Sequence, residues 1–351
     1  MGLPMTGAGR LPKDRDFIET TEGLLFCVVD YLHPPGKYTA YLKYSPAPRG
    51  RWQRGGTAYH RELAYYHAHQ VAQTLDYLDA NFPAYVDYCP VRDMRFSMVP
   101  QDRVSRYYCP ESRLAQLLSG GPADPLEEEA ARLAEALLRA TGIPPEDLGI
   151  TGSILLNIHD PSFSDIDITV YGREAVERLR ATLAQGGVPG VGPIDAAFMD
   201  GWRREIIDHH GLTAAQVEWL VEGRWNFAYY EGHRYLSLHP VRSDAEIQEA
   251  YGDHYYRDAG VCRLQAVVAD AADAIYLPAV YGIEQVTILD GPPAQVGQIY
   301  SYEGLFAQAA DAGQLIEAQG KLERIDGGPT HRLVIGSSHR SGREYLVPAG
   351  L

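Results

Sequence analysis

The sequence predicts an α+β protein: a central mixed sheet with helices on one side, flanked by an N-terminal α+β region and a C-terminal β-rich region. Three observations carry that expectation. The chain has 351 residues, too many for one ordinary core. Strand-like and helix-like patterns alternate through its first two thirds. Beyond about residue 260, strand-like runs dominate: VCRLQAVVADA, AIYLPAVYGI, QVTILDG, GKLERI and HRLVIGS.

Residues 1–15 read as a flexible leader, and MGLPMT loosely fits a myristoylation pattern that is common by chance. From Phe17 the chain turns to strands. GLLFCVVDYL is rich in β formers, His33-Pro34-Pro35-Gly36 is a turn, and TAYLKYS alternates, so the three together predict a hairpin. After the loop PAPRGRWQRGG a helix is expected from about Tyr59 to just before Pro83, carrying His60, His67 and His69 on its surface. A short helix near 113–118 completes an N-terminal domain at 16–118, and Gly120-Gly121-Pro122 marks its boundary.

The next helix carries the clearest signals. Asp124 can cap it, Pro125 suits the first turn, and Glu127, Glu128 and Glu129 favour the positive end of its dipole. Leu126, Ala130, Leu133, Ala134, Leu137 and Leu138 form one apolar stripe, and Gly142 ends it. DLGIT then predicts a short strand and SDIDITVYG a second, alternating one. An amphipathic helix follows at 173–185, a helical region runs to about Gly223, and RYLSLHPV is a third strand. The central domain is expected at 122–250 and the β-rich domain, a small barrel or sandwich, at 260–351.

Composition narrows the function classes. A net charge of -15 argues against uniform binding along a nucleic-acid backbone, which draws on phosphate neutralisation. It leaves room for nucleotide contacts mediated by a metal. The four cysteines form no CxxC pair, so neither a structural zinc site nor a disulfide framework is expected, and a reducing, cytoplasmic setting is. No apolar run approaches the ~20 residues of a membrane helix, so no membrane partner is expected.

The chemistry concentrates in ITGSILLNIHDPSFSDIDITVYG. Gly152-Ser153 ends a strand; after eleven intervening residues Asp165 and Asp167 sit one residue apart on the next. Alternate strand residues share a face, so the two carboxylates point together while Ile166 and Ile168 pack inward. Such carboxylates repel each other unless a cation lies between them. Mg2+ prefers oxygen ligands and is usually held by one or two carboxylates plus substrate phosphates. A Gly-Ser turn admits a phosphate closely, the serine adding a hydroxyl and an N–H.

This segment resembles the signature of the polymerase-β-like nucleotidyltransferase superfamily: an apolar residue, Gly-Ser, a spacer of about ten residues, then Asp-apolar-Asp-apolar. With DFIETTEGLLFCVV, it also resembles a group of uncharacterised prokaryotic predicted nucleotidyltransferases. The resemblance implies that 122–250 is a nucleotidyltransferase domain. Asp165 and Asp167 would be the catalytic, metal-binding carboxylates for Mg2+, with Mn2+ as the alternative, and Gly152 and Ser153 the nucleoside-triphosphate contacts. It also implies NMP transfer from an NTP to an acceptor hydroxyl, with an RNA or DNA end as the leading acceptor. A third carboxylate is usual on a later strand, but RYLSLHPV offers Ser237 there, with Glu231 and Asp244 only at flanking positions. The alternative is therefore a catalytically weakened nucleotide- or nucleic-acid-binding module.

Other clusters read more plainly. Arg49, Arg51, Trp52 and Arg54 form a basic loop able to hold a nucleic-acid strand, though a solvated loop is commoner. His159 and Asp160 suit either a triphosphate contact or a turn before Pro161. Asp208-His209-His210 resembles a phosphoesterase motif, yet it follows a predicted helix rather than a strand. Arg224, Trp225 and Asn226 suit a nucleotide or acceptor contact no better than core packing.

Overall fold

The computed structural model describes residues 10–62, 68–336 and 344–351, the side chains of 68–72 aside. It is a mixed α+β structure with three sheets and, among the described residues, seven α-helices. The chain divides into two compact units that cut across the sequential boundaries expected above. The first joins 1–63, 97–195 and 225–248; the second joins 64–96, 196–224 and 249–351.

The physical reason lies in which apolar residues share a core. In the first unit, Phe17, Leu25, Cys27, Tyr44, Tyr59 and Tyr108 of the N-terminal sheet bury together with Leu155, Leu156 and Ile158, which follow the Gly-Ser turn. The N-terminal strands and the motif are therefore halves of one body rather than neighbouring domains.

The expected hairpin is present: Leu25–Val28 pairs antiparallel with Lys37–Ala47. Its sheet runs Trp52–Arg54, Thr57–Arg61, Lys37–Ala47, Leu25–Val28, Phe17–Thr20, Val104–Tyr108. Two expectations are corrected here. Tyr59 and the exposed His60 lie in a strand, not a helix, because 57–61 finds hydrogen-bonding partners in both Lys37–Ala47 and Trp52–Arg54. The helix is described only from Ala68 to Asn81, which places His69 in it; His67 lies outside the described residues, as does MGLPMT. The leader does not reach 15, since Arg10 bonds both Asp16 and Glu111, and Lys13 is buried against Asp244 at 3.0 Å.

The second sheet of this unit has the order Val191–Gly192, Phe227–Tyr230, Arg234–Val241, Ile166–Tyr171, Leu148–Ile150. Arg234–Val241 runs parallel to Ile166–Tyr171, and the other pairings are antiparallel. The helices Pro125–Thr141 and Arg173–Ala184 belong to the same unit. The first forms as its sequence dictates: Asp124 accepts from Leu126 N and Glu127 N, Gly142 closes it at φ +65°, and Leu126, Ala130, Leu133, Ala134 and Leu137 are fully buried.

In the second unit, Tyr256–Asp270, Ala279–Asp290, Gln295–Ser301, Thr330–Ile335 and Leu315–Ile325 pair in that order. Tyr256–Asp270 then pairs with Leu315–Ile325, closing a barrel whose one parallel pair joins the third and fifth strands in sequence. Ile206, Leu212, Val217, Leu220 and Val221, on the helices Ala196–His210 and Ala214–Val221 and the link between them, share the barrel's core. That shared core explains why this helical region does not belong with the motif. No helix among the described residues is long and apolar enough to cross a membrane.

Candidate metal and nucleotide site

Asp167 lies on the inner strand Ile166–Tyr171, whose Ile166 and Ile168 are fully buried on the opposite face. Asp165 stands one residue before that strand and is exposed at its entrance. Thr151 N donates to the Asp167 carbonyl at 2.9 Å, which ties the Gly-Ser turn to the carboxylate strand. Gly152 then has φ +66°, and a Cβ built on it would stand 2.1 Å from Asp167 Oδ2. Only glycine satisfies both demands: a left-handed backbone and room for the carboxylate oxygen. Gly152 and Ser153 are both buried in the single turn Gly152–Leu155.

The other oxygen of Asp167 is gripped from the parallel neighbour. Asp167 pairs in register with Ser237. The Ser237 hydroxyl donates to Asp167 Oδ1, and His239 Nε2 lies 3.3 Å from that oxygen and 3.0 Å from the hydroxyl. Burial would raise the Asp167 carboxyl, but the hydrogen bonds from His239 and Ser237 and the Lys43 charge together hold it well below the usual range. Burial pushes the His239 imidazole down to about 4, with Arg15 and Lys43 adding to that. His239 is thus a neutral imidazole at neutral pH, able to donate from Nε2.

Asp165 behaves oppositely. Desolvation of its carboxyl and the Asp167 charge raise it to about 6, against Arg61, Arg234 and Lys43. The protein's own cations therefore leave the repulsion between the pair only partly balanced. Oxygen donors with residual like-charge repulsion suit a hard divalent cation, and Asp167 Oδ2 is the oxygen not engaged by Ser237 and His239.

The loop between the motif halves is pinned from several directions. Arg54 donates to Leu156 O at 3.1 Å and to the hydroxyls of Tyr108 and Tyr59, and pairs with Glu19. Gln53 N donates to Ile158 O at 3.3 Å. Trp52 meets the Phe163 ring edge-on, and the Arg51 guanidinium lies 4.0 Å over that ring. Arg234 donates to Pro161 O and Ser164 O while pairing with Glu129. Trp52 and Arg54 thus fasten the motif loop, and Arg51 packs over its Phe163 ring while remaining exposed, as Arg49 is.

His159 does not reach toward the carboxylate pair. Its Nε2 lies 2.7 Å from Asp124 and 3.9 Å from Glu127. These three form the one set of three acidic or imidazole groups, among the described residues, with ligand atoms all within 4.8 Å. The protein already uses them: Asp124 Oδ1 caps its helix, and Glu127 takes Arg113 and Ala123 N. Asp160 makes the turn, accepting from Ser162 N and Oγ.

Among the described residues, Asp165 and Asp167 belong to no such set of three. Glu231 sits in a turn at φ +49°, and Asp244 is paired with Lys13. His209 and His210 end the helix Ala196–His210, and the Arg224 guanidinium bonds to the carbonyls of Leu220, Gly304 and Leu305. Sequence reasoning missed His239, Lys43, Arg61 and Arg15 as neighbours of the pair. For His239 a signal existed, because it lies two residues beyond Ser237 on a predicted strand and so shares its face.

No protein-family model matches the chain, and no solved structure matches it. The chain is similar to the uncharacterized protein MJ1086 of Methanocaldococcus jannaschii, at 28% identity over 339 residues covering 95% of this chain and 97% of that protein. That likeness spans both compact units.

Proposed function

We propose that the chain is a nucleotidyltransferase of the polymerase-β-like kind, dependent on Mg2+ or Mn2+, that moves an NMP group from an NTP to an acceptor hydroxyl. The single observation that carries this reading is the fit of Gly152 to Asp167: the turn and the carboxylate are built as one piece, each occupying space the other leaves. In this reading the five-stranded sheet and its helices are the catalytic core, and the N-terminal sheet is a fixed part of it.

Asp165 and the Oδ2 atom of Asp167 would hold the cation. Bound there, a divalent ion supplies charge stabilisation for the phosphates and makes the attacking hydroxyl more acidic. Ser237 and His239 orient Asp167 and keep it ionised. Lys43 and Arg61 lie near enough to bear on Asp165, and so are placed to offset phosphate charge. The acceptor oxygen would form a bond to the α-phosphorus as the bond from that phosphorus to the oxygen bridging to the β-phosphate breaks, the hydroxyl proton passing to solvent and pyrophosphate leaving. A nucleic-acid end remains the acceptor expected from the resemblance; in the basic loop Arg54 is engaged within the protein, and Arg49 and Arg51 are exposed.

A second reading is favoured by one observation: Ser237, not a carboxylate, faces Asp167 across the strands. The chain would then bind nucleotide without transferring it. Thermal melts with each NTP and Mg2+, in the wild type and in Asp165→Asn/Asp167→Asn, test the site; a ligand at a hundred times its Kd raises stability by ~2.7 kcal/mol. A metal-dependent rise absent in the double variant supports the site, and no rise with any NTP would sink it. Pyrophosphate release separates transfer from binding.

A further inference from the structure

The sheet face that carries Asp167 continues across two strands into three aromatic rings. Asp167 stands beside Ser237 and Ser237 beside Phe227; one step along, Tyr235 stands beside Tyr229. Asp165 stands just before the paired strand, close enough for its charge to reach the Tyr235 phenol. Residues paired in register share a face, so the rings and Asp167 lie on one surface, while Ala228, Tyr230, Leu236 and Leu238 are buried on the other.

The rings are arranged as a surface. Phe227 and Tyr235 stack with centroids 6.0 Å apart and planes at 23°, and Tyr229 meets Tyr235 edge-on at 6.5 Å. None of the three is fully buried. Strands lie ~4.8 Å apart, so Phe227 stands roughly 10 Å from Asp167 across the sheet, a span suited to the ribose between a phosphate and its base. Burial, then the charges of Asp167 and Asp165, push the Tyr235 phenol well above its usual value, consistent with that proximity. Cross-strand aromatic pairs also stabilise sheets. That role explains the stacking, but not why three partly exposed rings share a face with Asp167.

We propose that Phe227, Tyr229 and Tyr235 form a stacking platform for the nucleobase of the nucleotide whose phosphates meet Asp165 and Asp167. The proposal rests on the nucleotidyltransferase reading. Stacking tolerates any base, since each presents a π face. The Tyr229 hydroxyl already bonds Asp195 at 3.1 Å. The platform therefore selects for a base without choosing among bases.

The test is calorimetric titration with ATP and with inorganic tripolyphosphate, both with Mg2+, on the wild type, Phe227→Leu, Tyr235→Leu, Tyr235→Phe and Asp167→Asn. The wild type should bind ATP more tightly than tripolyphosphate. Each leucine variant should lose about 5- to 150-fold in ATP affinity with tripolyphosphate unchanged, and Tyr235→Phe should retain ATP. Asp167→Asn should weaken both ligands. Equal wild-type affinities for the two ligands, a measurement that needs no variant, would overturn the platform. So would leucine variants that bind ATP as the wild type does, or that lose both ligands alike. A wild type that binds neither ligand overturns the nucleotidyltransferase reading itself, and the platform with it.

Discussion

Replacing Gly152 with alanine probes the join between the turn and the carboxylate. The new Cβ would stand 2.1 Å from Asp167 Oδ2 and 3.1 Å from its Cγ. Restoring ordinary contact requires a retreat of about 1.3 Å, and Asp167 is short and held at Oδ1 by Ser237 and His239. Two costs add: about 1–2 kcal/mol for an alanine in the left-handed region, and about 1–3 kcal/mol for overpacking. A loss of roughly 2–5 kcal/mol, or about 5–15 °C in the first unit's transition, is expected. Metal ligation tolerates only about 0.2 Å, so Mn2+ affinity, read by electron paramagnetic resonance titration, should fall as well. Gly149→Ala is the control. Its Cβ would meet Thr169 Oγ1 at 2.5 Å, Pro110 Cβ at 2.7 Å and Glu111 N at 2.8 Å as its nearest atoms, so it should lower stability and spare metal binding. A Gly152→Ala protein with wild-type melting and Mn2+ affinity would refute the reasoning.

Three further outcomes are expected. His239→Ala should cost about 10- to 100-fold in Mn2+ affinity, the usual effect of removing a partner of a metal ligand, and His239→Gln should recover part of it; an unchanged affinity in His239→Ala contradicts the orienting role. Arg54→Ala should destabilise by about 2–3 kcal/mol by unpairing Glu19 and freeing Leu156 O. It should leave affinity for a single-stranded oligonucleotide unaltered, and the reverse pattern would restore the basic loop as a binding surface. Burial raises the Asp14 carboxyl to about 6, with Arg15 opposing and Asp30 and Asp16 adding to it. The folded chain therefore binds that proton more tightly than the unfolded one. The stability it contributes is complete below about pH 4 and is lost as pH rises through about 6, amounting to about 3 kcal/mol. Urea melts of Asp14→Asn should lack this component, and identical pH profiles for variant and wild type would remove Asp14 as its source.

Local structure was legible wherever a residue acts through its nearest neighbours in sequence. Asp124, Pro125 and Gly142 bounded a helix because caps and turns depend on a few consecutive residues. Arg234–Val241 matched its predicted strand, and Asp167 lies on the expected alternating strand, which starts at Ile166 and leaves Asp165 just before it. The strand Thr57–Arg61 was read as helix because its partners lie elsewhere in the chain, and pairing overrides propensity.

The sequence by itself brought the candidate residues together: Gly152, Asp165 and Asp167 stand close along the chain, and strand alternation sets the face of Asp167. Only the tertiary structure decided what surrounds them. Ser237 and His239 reach Asp167 because a strand some seventy residues later lies parallel to it in one register. Lys43, Arg61 and the pinned loop arrive because the N-terminal sheet shares a core with Leu155, Leu156 and Ile158. Register and shared cores depend on the whole set of apolar contacts, which no window of sequence contains, whereas caps, turns and strand alternation are settled within a few residues.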